Sequence, residues 1–310
     1  MSGGADGRGE GASALARSGG RVGGREVPAT GDLAGVERIA AAFAAARAHR
    51  PNRETLATLA SPIRPAALMP YLMGGFPSLA ESLRVGEACV DAGADILELG
   101  VPYSDPLADG PVIHEAATRA LAAGANLGGV LEVARALAGR IPVVLMCYAN
   151  MVLAPGVEAF VERLARTGAC GLIVPDLPYE EAGAALAACD AHGVAFVPLV
   201  APTTPPERLR EIGARARGFL YTVSVVGTTG ERAALSERFA EVVARAKAAT
   251  TVPVALGFGI GTPAQAREAA HAGADGVIVG SRLVRAAGES DDPAAAVGAL
   301  VAELAAGLRG

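Results

Sequence analysis

The sequence predicts an α/β fold, a (β/α)8 TIM barrel, on three observations. From residue 66 onward, short apolar segments alternate with Ala-rich segments whose apolar residues recur at helical spacing. Eight such strands alternate with helices over about 240 residues, which matches a (β/α)8 barrel in count and size. A glycine ends the helix that precedes each of several strands. An open, doubly wound sheet is the alternative with the same alternation.

The elements follow at regular intervals. Glycine past a helix end takes the left-handed conformation at little cost, as expected in DAGAD (91–95), RTGAC (166–170), AHGVA (191–195) and HAGAD (271–275). The predicted strands span 67–73, 95–100, 141–149, 171–176, 194–200, 218–224, 252–259 and 276–281. The predicted barrel helices span 78–92, 112–123, 127–138, 156–167, 179–191, 205–215, 231–248, 263–272 and 293–308.

The N-terminal part of the chain differs from the barrel. Residues 1–35 are rich in Gly, Ala, Ser and Arg without apolar periodicity, so they are predicted to be a disordered tail. Residues 36–50 are predicted to form an extra helix that covers the bottom of the barrel. The segment 51–64 is predicted to be a surface insertion. The predicted organisation is therefore a tail, 1–35, and a single catalytic barrel, 36–310.

Composition excludes several classes of protein. The net charge of −5 and the lack of a basic stripe argue against nucleic acid as a partner. No apolar run reaches the roughly 18 residues of a membrane span, and the N-terminus has no apolar core of a secretory signal. The four cysteines are widely spaced in apolar contexts, which indicates reduced core residues. A cytoplasmic location is predicted.

A carboxylate interrupts the second predicted strand. Side chains alternate along a strand, so Glu98 shares a face with Ile96, opposite Leu97 and Leu99. In a sheet covered on both sides this is a buried carboxylate, which is costly unless it is partnered or protonated. Glu98 is predicted to be either an acid–base group with a tunable pKa or a carboxylate held by structural hydrogen bonds.

Other polar residues follow the strand ends, where the active site of such a barrel lies. Asp105 and Asp109 stand in the loop after Glu98, either as ordinary turn residues or as partners in acid–base chemistry. Tyr221 lies on the sixth strand. It is either a residue of the active site or an aromatic residue of the core. Further strand-end or loop residues are Tyr148, Asn150, Asp176, Thr228 and Thr229, the last two as helix caps or parts of a lid.

Glycine-rich loops after the seventh and eighth strands predict a phosphate site. Gly259 and Gly261 allow backbone amides to approach an anion closely, and Gly280 and Ser281 open a short helix whose N-terminus favours negative charge. Tight turns are the alternative for each glycine taken singly. Two such loops on adjacent strands favour phosphate, because barrels of this kind bind phosphate there.

The inventory of nucleophiles restricts the mechanism. Lys247 is the single lysine and lies in a predicted helix toward the bottom of the barrel, so Schiff-base chemistry lacks a nucleophile at the strand ends. No pair of histidines has metal-ligand spacing, and no metal site is predicted. Carbon–carbon cleavage at this site would need carboxylate acid–base catalysis and a substrate that serves as its own electron sink.

Several motifs resemble the tryptophan synthase alpha chain family. The most specific is ILELGVPYSDPLADGPVI (96–113), which resembles the family signature. Six further motifs stand in the family's order and spacing: MPYLMGGFPS (69–78), MCYANMV (146–152), PDLPYEE (175–181), YTVSVVGTTGER (221–232), GFGIGTPAQ (257–265) and GVIVGS (276–281). The departures are the long 51–64 segment, TTG (228–230) where VTG is common, and the variable positions Phe219 and Val225.

The resemblance implies a lyase of tryptophan biosynthesis that cleaves indole-3-glycerol phosphate to indole and glyceraldehyde 3-phosphate without lysine or metal. It implies Glu98 as the principal acid–base residue and Asp109 as the group that holds the indole N–H. The implied substrate contacts are Tyr221, Tyr71, Phe258 and Thr229, and the implied phosphate contacts are Gly230, Gly259, Gly280 and Ser281. It also implies an α2β2 complex with a beta chain that alone carries pyridoxal phosphate, so no cofactor is expected here.

Two other functions remain open at this stage. One is a different phosphate-binding barrel lyase or isomerase of amino-acid biosynthesis, although the indole-3-glycerol phosphate synthase type relies on a lysine that the strand ends here lack. The other is a catalytically silent subunit that only activates a partner enzyme, against which the presence of both Glu98 and Asp109 argues.

Overall fold

The computed structural model describes residues 21–22, 25–26, 34–48, 66–223, 232–257 and 259–309, with only the backbone of 21–22, 25–26 and 232–238. The chain divides into two compact units, 1–32 and 33–310. In the first unit, Arg21–Val22 pairs antiparallel with Arg25–Glu26. The disordered tail over 1–35 stays a prediction, and the segment 51–64 lies outside the described residues.

The second unit is built around a parallel sheet that closes on itself. Its strands, numbered β1 to β9, are Ala67–Met73, Leu97–Gly100, Val143–Met146, Gly171–Ile173, Ala195–Phe196, Leu199–Val200, Leu220–Val223, Val254–Gly257 and Gly276–Val279. The order across the sheet is β5-β4-β3-β2-β1-β9-β8-β7-β6. Because β5 and β6 are halves of one short segment, the two ends of this order meet, and the predicted (β/α)8 barrel is confirmed.

A proline divides the fifth predicted strand. Val197 still pairs with the fourth strand, because its N–H donates to the Leu172 carbonyl over 2.9 Å. Pro198 has no N–H to give, but its carbonyl accepts from Tyr221 over 3.1 Å on the other side. The segment therefore pairs with β4 before this proline and with β7 from the proline onward, and this change of partner closes the barrel.

Twelve α-helices are described in this unit. They are numbered α1 to α12: Gly35–Ala48, Leu79–Asp91, Pro111–Ala122, Leu127–Ala138, Ala149–Leu153, Val157–Ala165, Gly183–Ala191, Pro206–Arg215, Arg232–Ala249, Pro263–His271, Ser281–Glu289 and Pro293–Arg309. A 3-10 turn covers Tyr179–Glu181, which shortens one predicted helix at its start. The sequence did not predict α5, a single turn directly after the third strand.

Local capping fixes several of the helix starts. The side chain of Ser78 accepts from the Glu81 amide before α2, and the side chain of Asn126 accepts from the Gly129 amide before α4. Thr262 and Gln265 form a reciprocal capping box at the start of α10. These side chains satisfy backbone donors that have no partner within a helix's first turn.

The N-terminal helix α1 closes the bottom of the barrel, as predicted. Phe43 is fully buried, with its ring 5.8 Å from the ring of Phe219, and a Cβ at Gly276 would lie only 2.9 Å from it. Arg38 donates hydrogen bonds to the carbonyls of Ala138, the last residue of α4, and of Gly168, which follows α6. The helix is therefore held at the barrel by the buried ring of Phe43 and by the hydrogen bonds of the Arg38 guanidinium group.

Two composition-based predictions were testable within the described residues. All four cysteines are buried and free of disulfides, which confirms that they are core residues. No single described helix has both the length and the apolar character to cross a membrane, and only α3 with α4, bent by 106°, meet those two criteria together.

Candidate active site

Glu98 lies on β2 in full burial at the centre of the barrel. It pairs in register with Tyr71 of β1 and with Val144 of β3. Its side chain is completely inaccessible to solvent, and neither carboxylate oxygen has a hydrogen-bond partner among the described residues. Burial raises the pKa of Glu98 from 4.5 to about 8, because the charged form loses its hydration. The side chain is therefore largely protonated at neutral pH.

Two buried tyrosines share this environment. Burial raises the pKa of Tyr221 well above its usual value, and the nearby charge of Glu98 raises it further. Burial likewise raises the pKa of Tyr71, followed by the charges of Asp109 and Glu98. Tyr71 thus lies close to both predicted carboxylates, and Glu98, Tyr71 and Tyr221 form one cluster inside the barrel.

Glycines on the neighbouring strands make room for both tyrosine rings. A Cβ at Gly100 of β2 would lie 2.7 Å from Cζ of Tyr71, and closer still to its hydroxyl. A Cβ at Gly257 of β8 would lie 2.6 Å from the Tyr221 ring. Real Cβ atoms do not approach other atoms so closely, so each ring can lie across its neighbouring strand only because a glycine is there.

Asp109 is half-buried at the end of the loop that follows β2. The pKa of its carboxyl group is raised, because burial outweighs the lowering effects of the nearby Tyr148 hydroxyl and of the charge of His114. The preceding residue is also attached to Tyr148, because the Ala108 N–H donates to the Tyr148 hydroxyl over 3.1 Å. Asp109 therefore comes to the mouth of the barrel through contacts with the end of the third strand.

The other aspartate of this loop, Asp105, is in a different environment. It is exposed, and its carboxylate accepts a hydrogen bond from the neighbouring Ser104 hydroxyl. The turn-residue interpretation therefore describes Asp105 better than acid–base chemistry does. Leu107, between the two aspartates, exposes 89% of its surface.

The two glycine-rich loops lie at the same mouth. Gly259 has a φ of +79°, which a residue with a side chain rarely adopts. Gly280 precedes α11 without a side-chain cap, and Ser281 is the first residue of that helix. A Cβ at Gly280 would be 3.4 Å from Cβ of Tyr71, so this loop touches the tyrosine beside Glu98. The geometry suits an anion held by backbone amides next to the acid–base cluster.

Three predicted contacts, Phe258, Thr229 and Gly230, lie outside the described residues, as does Thr228. The roles assigned to the other site residues stay predictions. Sequence reasoning noted Tyr148 and Asp176 at strand ends without assigning them a role. Asp176 accepts from the Ala149 N–H over 2.8 Å and so fixes the first turn of α5. No local sequence signal links these two residues to Asp109.

Lys247 lies at the opposite end of the barrel, as predicted. Its Nζ is 3.0 Å from Oδ1 of Asp275, whose other oxygen accepts from the Val254 N–H at the start of β8. Within the described part of the chain, no group of three or more His, Cys, Asp or Glu side chains is arranged to hold a metal ion.

Comparison with known proteins agrees with the resemblance in the motifs. The family model described as tryptophan synthase alpha chain matches residues 57–307. The chain belongs to the tryptophan synthase alpha chain family. This is a family of lyases, so the chain is an enzyme, and its place is in tryptophan biosynthesis.

Relatives within this family are similar over most of their length. The tryptophan synthase alpha chain of Gloeobacter violaceus is 48% identical over 255 residues, which are 82% of this chain and 87% of that one. The alpha chain of Methanosarcina acetivorans is 46% identical over 244 residues, 79% of this chain and 89% of that one.

Solved structures agree with the fold. A crystal structure of tryptophan synthase from M. tuberculosis superposes with a TM-score of 0.76 at 39% identity, and the match covers 88% of this chain and 98% of that one. A structure of the tryptophan synthase a2b2 complex from Pyrococcus furiosus gives a TM-score of 0.73 at 35% identity over 78% of this chain and 98% of that one.

Proposed function

We propose that this chain cleaves indole-3-glycerol phosphate to indole and glyceraldehyde 3-phosphate by a retro-aldol reaction. The observation that carries the proposal is the fully buried Glu98 without a hydrogen-bond partner among the described residues. A carboxyl group with a pKa of about 8 can donate a proton at neutral pH and accept one later in the same cycle. The glycine loops after β8 and β9, the second of which contacts Tyr71, would supply the anion site that the substrate phosphate needs.

In this mechanism Glu98 serves as acid and then as base. Its proton goes to indole C3, and the indole ring becomes a cationic indolenine that can accept an electron pair. The Glu98 carboxylate then takes the proton of the side-chain hydroxyl next to C3. The C3–carbon bond breaks, its electrons return to the indole ring, and the released carbon becomes the aldehyde. Glu98 ends the cycle protonated, as it began.

Asp109 has the complementary task. As a carboxylate it accepts the indole N–H, which carries positive charge after C3 is protonated. The two carboxyl groups therefore need opposite protonation states. Burial raises the pKa of both, but only Asp109 has groups nearby that oppose this effect. Glu98 is fully buried without a partner, whereas Tyr148 and His114 oppose the effect of burial on the pKa of Asp109.

The assay of this proposal adds indole-3-glycerol phosphate to the purified full-length chain and follows both products. Equal amounts of indole and glyceraldehyde 3-phosphate are expected. EDTA should leave the rate unchanged and borohydride should trap no adduct, because neither a metal nor a lysine takes part. A different product from another sugar phosphate would favour the alternative barrel enzyme, and the absence of any turnover would favour a silent activating subunit.

We also propose that the chain forms an α2β2 complex with a tryptophan synthase beta chain through the loop after β2. The P. furiosus relative is such a complex. Leu107 in this loop and Leu153 at the end of α5 are the exposed large apolar side chains of the described residues, at 89% and 54%. Asp109 lies two residues from Leu107, so a partner on this surface would act directly on the active site. The beta chain would also consume the apolar product, indole.

Mixing the purified chains tests this second proposal. Co-elution in size-exclusion chromatography and a stimulation of indole release by about 5–150-fold are expected, the range of ordinary allosteric coupling. Leu107→Ser should weaken complex formation and leave the basal rate of the isolated chain unchanged. Its control is Ala123→Ser, an exposed position at the C-terminal end of α3, away from the loop. Co-elution without a change in rate would contradict the role of the loop.

A further inference from the structure

We propose that Tyr148 is a positioning residue that holds the Asp109 carboxylate at the mouth of the barrel. The inference rests on the proposed function, in which Asp109 receives the indole N–H. Tyr148 lies two residues after the third strand, directly before α5.

The geometry shows Tyr148 at the junction of three elements. Its hydroxyl accepts from the Ala108 N–H over 3.1 Å and lies close enough to the Asp109 carboxyl group to lower its pKa. Its ring stacks on Tyr103, with centroids 5.0 Å apart and the planes at 26°. The side chain of Tyr148 thus contacts both ends of the loop, Tyr103 through its ring and Ala108 through its hydroxyl.

Tyr148 is itself held in place. It is 4% exposed and directly precedes α5, whose first amide, that of Ala149, donates to Asp176 over 2.8 Å. Asp176 follows the fourth strand, so two strand ends determine where the phenol hydroxyl lies. A hydroxyl that accepts from one backbone amide has its remaining hydrogen available for the carboxylate, which orients Asp109.

Several groups act on Asp109 from the surrounding elements. His114 of α3 and Tyr148 partly offset the effect of burial, which still leaves the pKa of the Asp109 carboxyl group raised. Tyr71 of β1 lies close enough to sense its charge, and Asp176 acts on Tyr148 from the fourth strand. Burial raises the pKa of Tyr148 above its usual value, so the phenol stays a donor throughout the physiological pH range.

The test compares Tyr148→Phe with the full-length chain. Phenylalanine keeps the ring stack on Tyr103 and removes the hydroxyl. Turnover of indole-3-glycerol phosphate should fall by about tenfold or more, as expected for a lost hydrogen bond to a charged group. The loss should appear mainly in kcat, because the indole carries its positive charge only after C3 is protonated. The acid limb of the pH profile should move to higher pH.

A matched control is Tyr179→Phe, which removes a hydroxyl that donates to the Glu211 carbonyl over 3.0 Å, away from this loop. Its pH profile should stay that of the unsubstituted chain. An unmoved acid limb in Tyr148→Phe, or an equal movement in the control, would overturn the inference. If the unsubstituted chain releases no indole, the proposed function fails and the inference with it, whereas indole release with an unmoved acid limb in Tyr148→Phe overturns the inference alone.

A second variant covers the case in which Tyr148→Phe does not fold. Replacing Tyr148 by 3-fluorotyrosine keeps the hydroxyl and makes it a stronger donor. The acid limb should then move to lower pH, opposite to the effect of phenylalanine. No movement, or a movement in the same direction as in Tyr148→Phe, would overturn the inference.

Discussion

Glu98 is stable in the folded protein chiefly as a neutral acid. An ionised carboxylate without a partner would lose its hydration and gain nothing in return, which is why its pKa lies near 8. The residue therefore stores at neutral pH the proton that the proposed reaction needs. The cost of this arrangement is a loss of folding stability that builds up between pH 4.5 and about 8 and stays constant at higher pH.

This cost makes stability depend on pH in a defined direction. Between pH 4.5 and about 8 the unfolded chain has lost the Glu98 proton while the folded chain keeps it, so folding stability falls as pH rises. The contribution is on the order of 5 kcal/mol across that window of about 3.5 pKa units, at about 1.4 kcal/mol per unit. Glu98→Gln resembles the neutral acid and removes this loss.

We therefore expect Glu98→Gln to match the unsubstituted chain in urea unfolding near pH 5 and to exceed it in stability at pH 9. The control is Glu132→Gln, which changes a side chain that is 68% exposed and should alter neither value by more than a few tenths of a kcal/mol. A stability difference between Glu98→Gln and the unsubstituted chain that stays constant from pH 5 to pH 9 would contradict the assigned burial.

At the scale of elements, the same arrangement of a tyrosine and a glycine occurs in two strand pairs. Gly100 of β2 pairs with Met73, two residues after Tyr71 on β1, and Gly257 of β8 pairs with Val223, two residues after Tyr221 on β7. In both pairs a tyrosine ring crosses a glycine of the next strand. The position of each hydroxyl beside Glu98 thus depends on the residue of a neighbouring strand.

Gly100→Ala should disturb this arrangement. Its methyl group would overlap the Tyr71 ring and force it to shift, at a cost of about 1–3 kcal/mol in thermal unfolding and with a loss of turnover. Gly183→Ala is the control, because a Cβ at Gly183 meets nothing within 4 Å at the first position of α7. Equal melting temperatures for the two variants would show that Tyr71 does not lie across Gly100.

Most elements could be predicted from the sequence, because apolar periodicity and glycine-ended helices are local signals. The fifth strand could not be predicted in two halves, although Pro198 was visible, because its division depends on which neighbours pair on each side. The turn α5 also had no local signal, since its amide partner Asp176 is 27 residues away. Contacts between distant parts of the chain decided both features.

At the scale of the whole molecule, some features of the site follow from local sequence patterns and others depend on contacts between distant residues. Strand alternation placed Glu98 in the interior correctly, and spacing placed the glycine loops at strand ends. Turn chemistry did not separate Asp109 from Asp105, because both stand in turn-forming contexts, and only the family resemblance pointed to Asp109. The difference arises from Tyr148, which holds one end of the loop and leaves Asp105 in solvent.

The barrel as a whole should depend on α1 and not on the residues before it. A chain that begins at Leu33 keeps Ile39 and Phe43, both fully buried, and should melt like the full-length chain. A chain that begins after Ala48 loses both, at roughly 2–5 kcal/mol for each large apolar side chain, a large share of the roughly 5–15 kcal/mol that holds a domain together. An unchanged melting temperature in calorimetry for the chain that begins after Ala48 would contradict the role of α1 in closing the bottom of the barrel.

The central claim is that the proton of Glu98 drives cleavage, and the rate of indole release by Glu98→Gln tests it most directly. Glutamine keeps the shape of the side chain and cannot exchange a proton, and general acid–base groups contribute about 10²–10⁴ in rate. The account predicts a loss of at least about a hundredfold in kcat, with a circular dichroism spectrum like that of the unsubstituted chain. Near-normal indole release by the folded variant would contradict it.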